Sequence, residues 1–304
     1  MRSFLFFGFV LIACHLGVMT FVGKPQGGAE ARSPAPASAQ LDYDPIRIRP
    51  NDEGDTGELV YLRYCSGCHG VKGDGKGPGA AFLTPRPRDF TTGIYKFMST
   101  PAGSPPLDED LLRTITEGLH GTSMPSWRLL PERERLSLVR YIKAFHTEWQ
   151  FRPPTPPIPL HENPVDLEDQ AAIEKAIAQG REVYHKKTTC WTCHPAYLPR
   201  ADLEALTGSP AREQLELALA KPDHWGESIL PPDFRRDRLK SVQDLRDLYR
   251  VITAGVGGTA MPTWKDSLSG AELWALTCYV DSLRPASRST TQRKLKSLKE
   301  AAGR

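Results

Sequence analysis

The chain has 304 residues, of which 39% are hydrophobic and 25% charged, and it carries a net charge of +3 at pH 7. That length suits two ordinary domains with linkers. The composition is normal for a soluble globular protein apart from one segment, the net charge is uninformative, and no nucleic-acid partner is expected.

Taken in chain order, the first feature is FLFFGFVLIACHLGVMTFVG, residues 4–23, which contains no Asp, Glu, Lys or Arg. About 20 such residues suffice to cross a bilayer. Arg2 and the N-terminal amine precede it, so the positive-inside rule leaves the N-terminus in the cytoplasm and everything after Lys24 outside. Residues 1–24 therefore read as an uncleaved anchor. Two other readings stay open: a signal peptide cleaved near ASA at 37–39, and a lipoprotein box, LIAC at 11–14. All three export the remainder, which puts the body on the periplasmic side of the inner membrane.

Residues 25–50 are rich in Pro, Ala, Gly and Ser and read as a flexible linker. A first domain is expected over 51–150. A proline-rich linker, 151–165, follows; its RPPTPPIPLHENP stretch favours an extended spacer. A second domain is expected over 166–287. The basic tail, 288–304, reads as a solvated, frayed end.

Helical signals recur and strand signals are scarce. Helices fit Thr56–Tyr64 and Asp108–Gly118, then Pro131–Phe145, which puts Leu138, Tyr141, Ile142 and Phe145 on one face. Further helices fit Leu167–Lys186, short pieces around 203–220, and Val242–Gly255. The stretch from Ser269 to Leu283 opens with Ser269 and Glu272 at capping-box spacing and carries a stripe of Leu273, Leu276, Val280 and Leu283. The fold class is all-α.

The two halves repeat each other. A shift of 137 positions lays LLRTITEGLHGTSMPSW over LYRVITAGVGGTAMPTW, with ten of seventeen letters matching, Met124 on Met261 and Trp127 on Trp264 among them. PRPRDF, ending at Phe90, has a looser echo in LPPDF, ending at Phe234. Self-similarity of this kind indicates duplication of one unit.

Four of the six cysteines lie in CSGCH (Cys65, Cys68, His69) and CWTCH (Cys190, Cys193, His194). C-x-x-C-H is the c-type haem attachment pattern. Two cysteines three apart on one turn face the same way and can each bond one porphyrin edge, while the next histidine meets the iron. A disulfide within each pair would not explain the two histidines, and a zinc site would join ligands over a hundred residues apart. Two covalently bound haem c groups are therefore expected. A thioether on the sixth position favours ferrous iron and raises the potential. Met261 is the methionine of the second half, and the repeat makes Met124 its counterpart, with Met98 and His120 as rivals in the first half. Trp127 and Trp264 fit either shielding of haem or ordinary packing. Cys278, mid-helix in an apolar stripe, reads as a buried structural thiol.

On CSGCHGVKGDGKGPGA, PRPRDF, both GT-x-MP-x-W loops and the closing helices with Tyr141 and Tyr279, the chain resembles the class I cytochrome c superfamily. It is most similar to tandem di-haem, membrane-anchored cytochromes of bacterial respiratory chains. The likeness covers residues 55–148 well. It covers 175–285 less well, because Pro195 stands where the pattern has Gly and the segment from haem motif to methionine is longer. It implies two tandem cytochrome c domains, with terminal helices crossing near the haem and the methionine loop closing the opposite side. It also implies that a backbone carbonyl, near Pro85 or Pro87 and near Pro231, orients each histidine. The function implied is electron carriage, one at a time, from a quinol-oxidising complex to a terminal oxidase or other reductase. An alternative is an integral subunit of a cbb-type oxidase or a quinol-oxidising complex. A di-haem peroxidase or thiosulfate-oxidising enzyme would need an open sixth position, against which two parallel methionine loops argue.

Overall fold

The computed structural model describes residues 56–101, 103–151 and 155–302, all within one compact unit. The apolar segment 4–23 lies outside them. Among the described residues, no helix is long and apolar enough to cross a membrane.

Each half is a pair of crossing helices around which shorter elements wrap. In the first half α1 (Thr56–Tyr64) crosses α4 (Glu132–Ala144), with α2 (Ser66–His69) and α3 (Asp108–Glu117) between them in the chain. In the second, α5 (Gln170–Glu182) crosses α8 (Gly270–Leu283), with α6 (Arg200–Thr207) and α7 (Leu245–Ala254) between. A glycine sits at each crossing. A methyl on Gly57 would overlap Ser137 O and lie 3.1 Å from Tyr141 Cβ; one on Gly180 would overlap Ala275 O and lie 2.7 Å from Tyr279 Cβ. Removing the side chain lets the backbones touch. Tyrosines then fill the angle: the buried Tyr61 meets the half-buried Tyr141 with ring centroids 5.2 Å apart, and the buried Tyr184 meets the buried Tyr279 at 5.4 Å. The expected capping box of α8 is present, with the Glu272 N–H donating to Ser269 Oγ at 3.3 Å and the Ser269 N–H to Glu272 Oε2 at 3.0 Å.

Three expectations need correcting, and the spacer gains contacts. The helix expected to reach Lys186 ends at Glu182 and continues as a π-turn, Val183–Lys187, closed by Thr188 N–H donating to Val183 O at 3.0 Å. The insertion around 203–220 holds α6 and then irregular chain. It ends in a two-residue antiparallel ladder, β1 (Lys221–Pro222) with β2 (Ser228–Ile229), Lys221 opposite Ile229. The proline-rich spacer is extended but docked: Ile158 is buried with its N–H on Ser99 O at 2.7 Å, and Trp274 Nε1–H donates to His161 O at 3.0 Å. The basic tail is not frayed. It forms α9 (Thr290–Ala302), anchored on the fully buried Asp281 carboxylate, which accepts from Ser289 Oγ at 3.0 Å and Thr291 N at 2.8 Å and pairs with Arg284 at 2.8 Å. The buried anchor lies on α8, out of sight of the tail's own composition.

Candidate haem centres

Both C-x-x-C-H motifs wrap one turn with the same bonds. His69 N–H donates to Cys65 O and His194 N–H to Cys190 O, each at 2.9 Å; Cys68 and Cys193 donate to the same two carbonyls, each at 3.1 Å. The same two carbonyls thus close both turns.

Each imidazole is fixed by a carbonyl. His69 Nδ1 lies 3.0 Å from Arg88 O, and His194 Nδ1 lies 3.0 Å from Pro232 O. These oxygens are one residue beyond the prolines expected, and each sits two residues before the phenylalanine of the PRPRDF and LPPDF echo. An imidazole that donates from Nδ1 carries its lone pair on Nε2, the nitrogen an iron takes. Burial lowers the pKa of both rings, with the carbonyl bond opposing it, so the neutral, ligating form is favoured. The phenylalanines themselves stack on the rings: Phe90 on His69 at 4.6 Å and 18°, Phe234 on His194 at 4.8 Å and 21°. That role was missed from sequence, although the shared phenylalanine was the signal for it.

The methionine loops share the bonds that hold each methionine. Leu119 N–H donates to Met124 O at 3.0 Å, and Val256 N–H to Met261 O at 3.2 Å. Thr122 and Thr259 each bridge their loop, hydroxyl to the carbonyl three residues back (2.8 and 2.7 Å) and accepting from the methionine N–H (both 3.1 Å). Gly118 and Gly255 enter the loops at φ +67° and +76°, where a side chain would be strained and would strike Pro125 or Pro262 backbone. The recurring heptapeptide is thus the wiring of one loop, written twice.

The halves differ around the first and second motifs. In the first, the N–H groups of Gly75 and Gly77 hold His69 O (2.9 Å) and Cys68 O (3.1 Å), and Gly70 adopts φ +78°. Pro195 cannot take that angle, so the chain leaves in another direction. There Arg212 replaces the glycine loop, donating Nη2 to His194 O at 3.0 Å and Nε to Trp191 O at 3.1 Å, while Leu219 N–H holds Cys193 O at 2.8 Å. Buried hydroxyls compensate alike: Tyr61 donates to Gly70 O at 2.7 Å and Tyr184 to Pro195 O at 2.8 Å. Arg212 was also missed, since nothing in its local sequence marks it.

The donor set fits two c-type haems. A redox dithiol would need lowered thiol pKa values. Burial instead pushes Cys65 up to about 12 and Cys190 to about 11. Met98 is buried, its sulfur 3.9 Å from Thr100 Oγ1, and His120 Nε2 lies 2.9 Å from Gln243 Nε2. Cys278 is buried as expected, and Trp127 packs on Tyr64 at 5.3 Å.

The family model described as cytochrome c oxidase, cbb3-type, subunit III matches residues 52–142 and 175–280, more than half of the chain. The chain belongs to that family. Its two matched segments are cytochrome c-like, which implies covalent haem c and electron transfer. Among solved structures, a chain of the reducing HAO-like protein complex of Kuenenia stuttgartiensis is 35% identical, with a TM-score of 0.63 over 76% of this chain and 96% of that one. No curated protein matched the chain.

Proposed function

We propose that the protein is a di-haem c-type cytochrome that carries electrons one at a time between respiratory-chain complexes, held at the periplasmic face of the inner membrane by residues 1–24. Cys65 and Cys68 would hold one haem and Cys190 and Cys193 the other, with His69 and Met124, and His194 and Met261, as the side chains that would bind the two irons. When bound, the haems would supply one-electron redox chemistry. The chain's residues do the rest. Arg88 O and Pro232 O fix the imidazoles, Phe90 and Phe234 hold the rings flat, and the threonine-bridged loops hold the sulfurs, which favour the reduced state. The observation that carries the reading is the shared set of backbone bonds that closes both cysteine turns and holds both methionines across the repeat. A quinol-oxidising complex is the donor and a terminal oxidase or other reductase the acceptor.

Met124→Ala and Met261→Ala test it. Each variant keeps both haems attached, lowers one potential, and binds one carbon monoxide per reduced chain. Unchanged carbon monoxide binding in both variants would refute the ligand assignment.

The second reading is a resident subunit of a larger oxidoreductase, favoured because the family description names an oxidase subunit and the structural neighbour sits in a protein complex. Copurification with a catalytic subunit from native membranes supports it; isolation as a lone cytochrome opposes it.

A further inference from the structure

The two copies meet through a reciprocal contact. His120 N–H, four residues before Met124, donates to Lys240 O at 3.1 Å. Gly257 N–H, four residues before Met261, donates to Lys96 O at 2.9 Å. Lys96 and Lys240 are equivalents too, each six residues after the phenylalanine that stacks on its own histidine. Copy one touches copy two as copy two touches copy one, the mark of an isologous interface folded into one chain. Equivalent charges flank it. Arg113 Nη1 of α3 lies 3.9 Å from Asp247 Oδ1 of α7, which also accepts from the buried Arg250 at 3.2 Å.

The contact at Met261 is the more heavily built. Lys96 pairs with Asp223 at 3.2 Å, with the carboxylate only 4% exposed. Asp223 lies between β1 and β2, and the next residue, His224, donates its N–H to Gly258 O of the methionine loop at 2.8 Å. The Arg88 guanidinium lies 3.6 Å over the Trp225 ring. Segment 88–96 of the first copy thus fixes His69 at one end and the Met261 loop at the other.

We propose that each sulfur loop is held in place by the other copy: Lys96 and Gly257 are positioning residues for Met261, and Lys240 and His120 for Met124. The inference rests on the His/Met reading above. A surface loop with few buried contacts opens locally at low free energy. A cross-copy hydrogen bond and a buried ion pair raise that free energy, so the halves cannot part without loosening a sulfur.

Gly257→Ala tests it. Its backbone is outside the left-handed region, and the added methyl would overlap Tyr95 O and lie 3.1 Å from Tyr95 C and 3.3 Å from Met98 Cε, all in the other copy. The variant is expected to bind one carbon monoxide per reduced chain and to lose the sulfur-to-iron charge-transfer band of one ferric haem; no binding and a full band would overturn the proposal. Lys96→Met provides the second arm, should Gly257→Ala not fold. In a Met124→Ala background the remaining band belongs to Met261, and Lys96→Met is expected to lower the temperature at which it is lost. In a Met261→Ala background the remaining band belongs to Met124 and stays put. Equal movement in both backgrounds, or in neither, overturns the proposal. Met261→Ala alone separates the failures: if it binds no carbon monoxide, the ligand reading has failed rather than the clamp.

Discussion

Replacing Gly180 with alanine sets two effects of opposite sign against each other. Gly180 lies in the interior of α5, where Gly→Ala ordinarily gains about 1 kcal/mol through helix propensity. Here the methyl would overlap Ala275 O and lie 2.5 Å from its carbonyl carbon and 2.7 Å from Tyr279 Cβ. Overpacking costs about 1–3 kcal/mol, and the upper end applies because the struck group is main chain and cannot swing away. The net loss is about 2 kcal/mol. For a body of this size about 1 kcal/mol moves Tm by about 2–4 °C, so Tm should fall by about 4–8 °C in a far-ultraviolet circular dichroism melt. A rise in Tm would mean that propensity wins, and that α5 and α8 do not touch at Gly180.

Arg212→Met leaves His194 O and Trp191 O without donors, at about 1–3 kcal/mol each, and should lower Tm, whereas Arg236→Met, on a largely exposed side chain, stays within about 0.5 kcal/mol; equal effects would contradict the role given to Arg212. Asp281→Ala strands the buried Arg284 and removes the anchor of α9, costing about 3–5 kcal/mol. Limited trypsin digestion should then cut at Lys294 and Lys296 well before the body unfolds, and unchanged cutting would show that α9 docks without Asp281. Glu272 is held down at about 2 from an ordinary 4.5, first by the Lys187 ammonium and then by the Ser269 donors. A depressed folded pKa stabilises above 4.5 and loses that contribution as pH falls from 4.5 through about 2. The pair is partly exposed, so the contribution is about 0.2–1 kcal/mol. Denaturant midpoints of Glu272→Gln and the parent should converge as pH falls through that window, and a constant gap would refute the assignment.

Much of the helical frame was legible because its signals are local. Asp108–Glu117 puts Leu111 and Ile115 on one face, and Ser269 with Glu272 is a cap that reads itself. The two attachment turns and two methionine loops were legible because their bonds run between near neighbours in sequence, so the same letters reproduce the same geometry. What escaped depends on distant partners. Phe90 and Phe234 stack on histidines 21 and 40 residues away. Arg212 substitutes for a glycine loop over a hundred residues away in the other copy. The tail became a helix because a carboxylate on α8 was waiting for it.

The central claim is that each copy encloses one covalently attached haem with nitrogen–sulfur axial ligation. Alkaline pyridine haemochrome quantified against protein mass, with a near-infrared spectrum of the same oxidised sample, tests it most directly. Two attached haems per matured chain, both with the sulfur-to-iron band, are predicted. Fewer than two, or a high-spin ferric component at either haem, would contradict the account.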